Sequence, residues 1–236
     1  MRKLALFLSL MTLATIFGFG QEVEDRDFRF RPRPRPRPPI ILIRLPQADR
    51  SVPMKLSELK ASVVVAGNIA VTTYDMTFHN ENNAVLEGQF VFPLGEGRTV
   101  SRFATDVNGR LREGVVVEKD KGRQVFESVV RSMIDPGLLE WTKGNTFRAR
   151  IYPIPAKGYK RVVVAWEQEL SDAGANGLLY QLPLAFRDSV EKFSLDVTVL
   201  EQEVKPVLDS SNELVNLGFE RWQKAFLAKM ERTNYT

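Results

Sequence analysis

His79 is the only histidine in the chain, and there is no cysteine. A Ser-His-Asp relay or a histidine-rich metal site needs partners in fixed geometry. Cysteine nucleophiles, thiolate metal sites and disulfides are excluded outright. His79 opens the polar run His79-Asn80-Glu81-Asn82-Asn83, where a surface position is expected. A zinc site here would be almost wholly carboxylate, which is atypical for that metal. Asp106-Val107-Asn108-Gly109 begins like a calcium loop, but Arg110-Leu111-Arg112 departs from the ligand pattern, and Asn-Gly reads as a hairpin turn. Asp209-Ser210-Ser211-Asn212-Glu213 has cation-binding residue types, yet Glu213 stands where an adhesion motif needs its second serine. Asp135-Pro136 invites self-cleavage through the aspartate carboxylate, but Gly137 supplies no assisting group. A helix stop is the plainer reading of that pair. Phosphate loops, nucleotide fingerprints and paired-carboxylate motifs are absent from the sequence. No catalytic residue, cofactor site or metal ligand is therefore assigned.

Two groups remain as interaction candidates. Trp141, Lys143 and Arg148, with Glu140 and Asn145, would form a polar surface cluster anchored by the indole, or else a buried tryptophan with ion-paired neighbours. Arg31, Arg33, Arg35 and Arg37 alternate with proline in RPRPRPRPP, Arg31 to Pro39. Proline fixes φ and biases the preceding residue toward extended geometry, so polyproline II is expected, spanning roughly 28 Å. The guanidinium groups would point all round the axis. Such a spoke either adheres to an anionic polymer or membrane surface or serves as a stiff charged spacer, and the spacer is favoured.

The elements that would position these residues begin with an export signal. Arg2 and Lys3 precede an uncharged run from Leu4 to Phe19, and Gly18-Phe19-Gly20 supplies the small-x-small pattern of a cleavage site. The run is shorter than the ~20 residues that span a bilayer, so a cleaved signal peptide over 1–20 is expected and no membrane span thereafter. The chain carries 33 basic and 29 acidic residues in 236. Taking Arg2, Lys3 and the four spacer arginines from the 33 leaves 27 against 29, so the body is close to neutral. That balance argues against a nucleic-acid face. Secretion or a place in the cell envelope is the expected localisation.

Residues 21–55 read as a disordered Arg/Pro-rich spacer followed by an edge strand, IILIRL from Ile40 to Leu45. A β-rich body is expected over 56–204. Within it Ile69 to Asn80 changes the phase of its apolar residues from odd to even positions, which suggests a bulge. Asn108-Gly109 predicts a hairpin between Thr99–Val107 and Leu111–Val117. Phe193, Leu195, Val197 and Val199 alternate with polar residues and mark a half-buried strand. One helix is expected where Val125, Phe126, Val129, Val130 and Met133 share a face at period 3.6, ended by Asp135-Pro136-Gly137. Residues 205–236 read as an extension that stops where a larger protein was cut or where the gene ends early, with a helical tail over Glu220–Glu231 because Phe219, Trp222, Phe226 and Met230 fall roughly in phase.

The segment from about Leu56 to Leu170 resembles the VIT domain, the vault protein inter-alpha-trypsin domain. The matching motifs are Gly67-Asn68-Ile69-Ala70, Thr77-Phe78-His79-Asn80, Leu86-Glu87-Gly88-Gln89-Phe90-Val91-Phe92-Pro93-Leu94, Val117-Glu118-Lys119, Asp135-Pro136-Gly137-Leu138-Leu139-Glu140, Gly144-Asn145-Thr146-Phe147 and Ile151-Tyr152-Pro153-Ile154-Pro155, in that order. The resemblance implies a β-sandwich-like module without catalytic residues of its own. Such a module usually precedes a von Willebrand factor A domain, which this chain lacks, and the cysteine-free body looks like a bacterial envelope version. The fold expected is mainly β: a sandwich with one inserted α-helix and a C-terminal helical tail. The function expected is a non-catalytic protein-interaction or scaffolding module, whose partner is a protein, a surface polymer or an adjacent adhesion-type domain. The alternatives are a carboxylate-dependent hydrolase using residues such as Glu140 and Asp135, or polyanion and cell-surface binding through the Arg-Pro segment.

Overall fold

Alternation with a period of two runs through most of the body, and it builds strands. The computed structural model describes residues 37–45, 50–118, 138–142, 144–172, 177–207 and 217–236. Its strands in chain order are β1 (Ile40–Arg44), β2 (Ser51–Pro53), β3 (Lys55–Ala66), β4 (Ile69–His79), β5 (Leu86–Pro93), β6 (Arg98–Val107), β7 (Arg110–Glu113) and β8 (Val115–Glu118). There follow β9 (Leu138–Thr142), β10 (Thr146–Ile154), β11 (Tyr159–Glu169), β12 (Ser171–Asp172), β13 (Leu178–Leu179), β14 (Val190–Leu200), β15 (Glu220–Trp222) and β16 (Ala225–Tyr235). Six of them form a sheet in the order β2-β1-β5-β10-β9-β8, and eight form a second in the order β15-β16-β14-β3-β4-β11-β6-β7. The small pair β12-β13 stands apart from both. Neighbouring strands are antiparallel except for two parallel pairs, β3 with β14 and β8 with β9.

The two large sheets share one hydrophobic core. Phe90, Phe92, Phe147 and Ile151 come from the smaller sheet, and Tyr74, Met76, Phe78, Phe103 and Trp166 from the larger. Aromatic edges join them: Phe92 meets Trp166 at a centroid distance of 5.3 Å, and Phe90 meets Phe103 at 5.7 Å. Trp166 also stands edge-on to Tyr74 at 4.8 Å. Its indole Nε1 is buried without a hydrogen-bond partner, which leaves those ring contacts to offset the desolvated donor. The larger sheet outruns the smaller, and residues 180–186 run over its inner face. Tyr74 donates to the Pro183 carbonyl at 2.7 Å, and Phe186 packs on Tyr235.

The hairpin at Asn108-Gly109 is present between β6 and β7, with φ of 54° and 78° at the two turn residues, the left-handed values that asparagine and glycine tolerate. Strand β1 is paired on both sides, by β2 and β5, so it is not the edge of its sheet.

The expectation of a mainly β fold with an inserted helix and a helical tail needs correction, because the described residues hold strands and no helix. The inserted helix fell on 125–133, which lie outside the described residues. The helical tail is overturned: Glu220–Trp222 and Ala225–Tyr235 are strands β15 and β16. Phe226, Ala228 and Met230 alternate inward against exposed Lys229 and Glu231, so the governing period was two. The helical phase of Phe219, Trp222, Phe226 and Met230 was coincidental, and pairing with β14 from Val190↔Tyr235 to Leu200↔Ala225 decides the matter. The expected bulge in β4 is also absent, since β4 runs in continuous register with β11 from His79↔Tyr159 to Ile69↔Glu169.

Gly88 marks the tightest approach in the core. A Cβ added there would lie 2.7 Å from Ile41 Cγ2, 3.0 Å from Ile154 Cδ1 and 3.2 Å from Ile43 Cγ2. Branched side chains on three sides leave no low-strain escape. Gly88→Ala should therefore destabilise the fold by about 1–3 kcal/mol, read as a lower urea midpoint at unchanged slope. An unchanged midpoint would contradict this packing.

Candidate functional site

Apart from Ser57 Oγ and Trp166 Nε1, which have no partner, the main buried and half-buried polar side chains bond to backbone carbonyls and to one another. Arg98 donates through Nε to Gln168 Oε1 at 2.6 Å and through its terminal nitrogens to the carbonyls of Leu94 and Gln181. Burial lowers its pKa, and the guanidinium remains a clamp between β6 and the segment over the inner face. Asn145 reaches the carbonyls of Gly95 and Arg98. Asn80 donates to Ala84 and Pro155 while its Oδ1 accepts from the backbone and side-chain nitrogens of Asn82. Fully buried Lys160 donates to the carbonyl of Asp106. Thr72 and Tyr180 share a hydroxyl hydrogen bond at 2.6 Å. These interactions close turns and fasten segments. They do not converge on open space.

The outer face of the eight-stranded sheet divides into two halves. One half carries cross-strand ion pairs: Arg161 bidentate to Asp75 at 2.8 and 2.6 Å, Arg102 to Glu113 at 2.6 Å, and Lys229 to Asp196 at 3.3 Å. Between them Ala104, Val163 and Ala165 face outward yet are buried. At that end Tyr159 stacks on His79 at 4.8 Å beside a shallow depression of about 290 Å³ lined by Thr77, Asp106, Leu111 and Arg161. Among the described residues no group of three or more acidic or histidine side chains is placed to hold a metal ion.

The other half is apolar and open. Register sets Val71 beside Val64, Val64 beside Thr198, and Thr198 beside Leu227. One rung further, Ile69 lies beside Ala66, Ala66 beside Leu200, Leu200 beside Ala225, and Ala225 beside Trp222. The exposures are 38% for Val64, 41% for Ile69, 36% for Val71, 37% for Leu200 and 60% for Trp222. The result is a strip of two rungs, one crossing β4, β3, β14 and β16 and the other reaching β15 at Trp222. Exposed valines and isoleucines one at a time need no explanation, but a contiguous run does.

Of the candidates read from the sequence, Arg148 and Glu140 are register partners, while Trp141 is set beside Phe147. Trp141 is 45% exposed and pairs in register with Phe147, whose side chain is in the core. Arg148, one residue on, belongs to the opposite face of the sheet by alternation and is exposed. Lys143, like Arg31, Arg33 and Arg35, lies outside the described residues. Arg37 is exposed, and its backbone nitrogen donates to Pro93 at 3.4 Å. Sequence reasoning missed the strip, although its signal was present: the odd-numbered apolar residues Ile69 and Val71, taken for a bulge, face outward from a regular strand.

Residues 56–166 match the profile of the Vault protein inter-alpha-trypsin domain. The chain carries a VIT domain. Human Protein mono-ADP-ribosyltransferase PARP4 is 22% identical over 129 residues, 55% of this chain and 7% of that protein. Human von Willebrand factor A domain-containing protein 5A is 25% identical over 133 residues, 56% of this chain and 17% of that protein. The chain thus spans less than a fifth of the curated relatives it matches. Among solved structures, a putative nutrient binding protein from Legionella pneumophila is similar over 77% of this chain and 63% of that one, at TM-score 0.47 and 11% identity. The matched VIT segment ends within β11, so β14, β15 and β16 lie beyond it. No helix among the described residues is long and apolar enough to cross a membrane.

The buried tyrosines give the fold a pH signature. Desolvation raises the pKa of Tyr74 and of Tyr180 above the ordinary 10.0. Above pH ~10 the unfolded chain loses tyrosine protons that the native state keeps, so stability is full below that pH and declines as pH rises. The double variant Tyr74→Phe/Tyr180→Phe should show a shallower fall in urea midpoint between about pH 9.5 and 11.5. Parallel declines in both proteins would contradict the assignment.

Proposed function

We propose that this chain is a non-catalytic protein-interaction module of an exported protein, and that its VIT domain presents the outer face of the eight-stranded sheet. The observation that carries the reading is the strip of Val64, Ile69, Val71 and Leu200. These residues lie side by side and exposed on a sheet whose other face is core. A soluble domain keeps such a run only where something covers it. The polar residues support the same reading, since Arg98, Asn80 and Asn145 hold turns and segments in place. The relative with a von Willebrand factor A domain in its name favours an adhesion-type domain as one kind of neighbour for this module. The proposal of export, to the envelope or outside the cell, is supported by Arg2, Lys3 and the uncharged run from Leu4 to Phe19.

The test is site-specific photo-crosslinking in the producing cells. With p-benzoylphenylalanine at position 71, a discrete protein adduct is expected. The same group at the exposed position 233, at the far end of β16, should give none. Failure to obtain any adduct from position 71, or equal adducts from both, would refute the interaction reading.

A further inference from the structure

Four glutamates border the strip along its sides and its open end, while the ion pair Lys229–Asp196 closes it toward the charged half. Glu167 lies in register beside Val71, Glu169 beside Ile69, and Glu220 beside Leu227. Glu201 follows Leu200 directly in the chain, and Lys224, in the β15–β16 turn, is a basic exception, as is Lys229, which is paired to Asp196. All four glutamates are exposed. Glu169 accepts a hydrogen bond from Asn68 Nδ2 at 2.9 Å, while Glu167, Glu201 and Glu220 take part in none of the ion pairs between described residues. In the other half of the same face, Asp75, Glu113 and Asp196 are each matched to Arg or Lys across the strands.

We infer that the strip receives an amphipathic segment of another protein, with an apolar stripe for the valine and isoleucine surface and Lys or Arg along its edges to meet the glutamates. This rests on the interaction-module reading and names its partner's chemistry. The dimensions suit a helix. At the usual strand spacing the rung that ends at Trp222 is about 19 Å long and the rung that ends at Leu227 about 14 Å, the length of roughly two and a half to three and a half helical turns. Two rungs of side chains match the width of one apolar helix face. Charge selects among the occupants. Two copies of this chain facing strip to strip would bring one acidic rim against another, a repulsive arrangement. An anionic bilayer surface would be repelled in the same way. A basic-edged apolar segment is attracted by the rim and desolvates the strip.

The experiment uses the full chain and two fluorescent peptides of about 14 residues with the same leucine stripe, one edged with Lys and one with Glu, titrated by anisotropy. The Lys-edged peptide should bind roughly tenfold or more tighter than its twin and weaken as salt rises from about 50 to about 500 mM. Val71→Asp should cost that binding roughly tenfold. Glu167→Gln/Glu169→Gln/Glu220→Gln should erase the preference between peptides. All these positions are exposed, and unchanged thermal melts will confirm folding. If both peptides bind equally and Val71→Asp weakens both, the strip remains an interaction surface but the basic-edged partner is overturned. If Val71→Asp changes neither, both readings fall. A dimer in sedimentation equilibrium that Val71→Asp dissolves would assign the strip to a second copy. Flotation with phosphatidylcholine–phosphatidylserine vesicles that Val71→Asp abolishes would assign it to lipid. Either result overturns the inference.

Discussion

Parallel pairing of β14 on β3 is the contact on which the rest of the molecule depends. It runs unbroken from Lys192↔Glu58 to Leu200↔Ala66. Through it the C-terminal strands join the sheet that the VIT segment begins, because β16 and β15 reach that sheet only by way of β14. A parallel pair cannot be closed by a hairpin, so the chain must travel far between its partners. Everything from β4 to β13 lies in that interval. Each side of β14 has a duty. Phe193, Leu195 and Val199 face the core, with Phe193 stacked on Tyr235 at 4.3 Å, while Thr198 and Leu200 continue the outer strip.

The strip therefore belongs to the completed sheet and to neither part alone. Val64, Ile69 and Val71 come from strands inside the matched domain, whereas Leu200, Leu227 and Trp222 come from strands beyond it. The same division explains the inner face. Eight strands expose more inner surface than six can cover, and the segment carrying Tyr180, Pro183 and Phe186 covers the remainder with hydrogen bonds to Thr72 and Tyr74 and a ring contact to Tyr235. The outer face is left to pair its own charges at one end and to present bare aliphatic side chains at the other.

Local rules were readable where local forces decide. Asn108-Gly109 announced its hairpin, and the alternation of Phe193, Leu195 and Val199 announced a half-buried strand, because turn geometry and side-chain period act over a few residues. The motif order from Gly67-Asn68 to Ile151-Tyr152-Pro153 identified the domain without any physics of the whole. What failed needed distant partners. Strand β16 looked helical because four large apolar residues fell in phase by chance, and only its register with β14 reveals the period of two. The Trp141–Arg148 group shows the same limit: register sets Trp141 beside Phe147 and Arg148 beside Glu140, so neighbours in sequence fall on opposite faces of the sheet. The outward valines of β4 were legible as letters but not as a surface, since their neighbours Val64 and Leu200 are supplied by other strands.

Amide hydrogen exchange across β14 tests the completed sheet most directly. With β3 on one side and β16 on the other, the amides of Phe193–Leu200 should open with the same high free energy as those of Leu59–Val65, in one cooperative unit. Exchange at Phe193–Leu200 that is orders of magnitude faster than at Leu59–Val65 would contradict the pairing, and with it the five-strand surface.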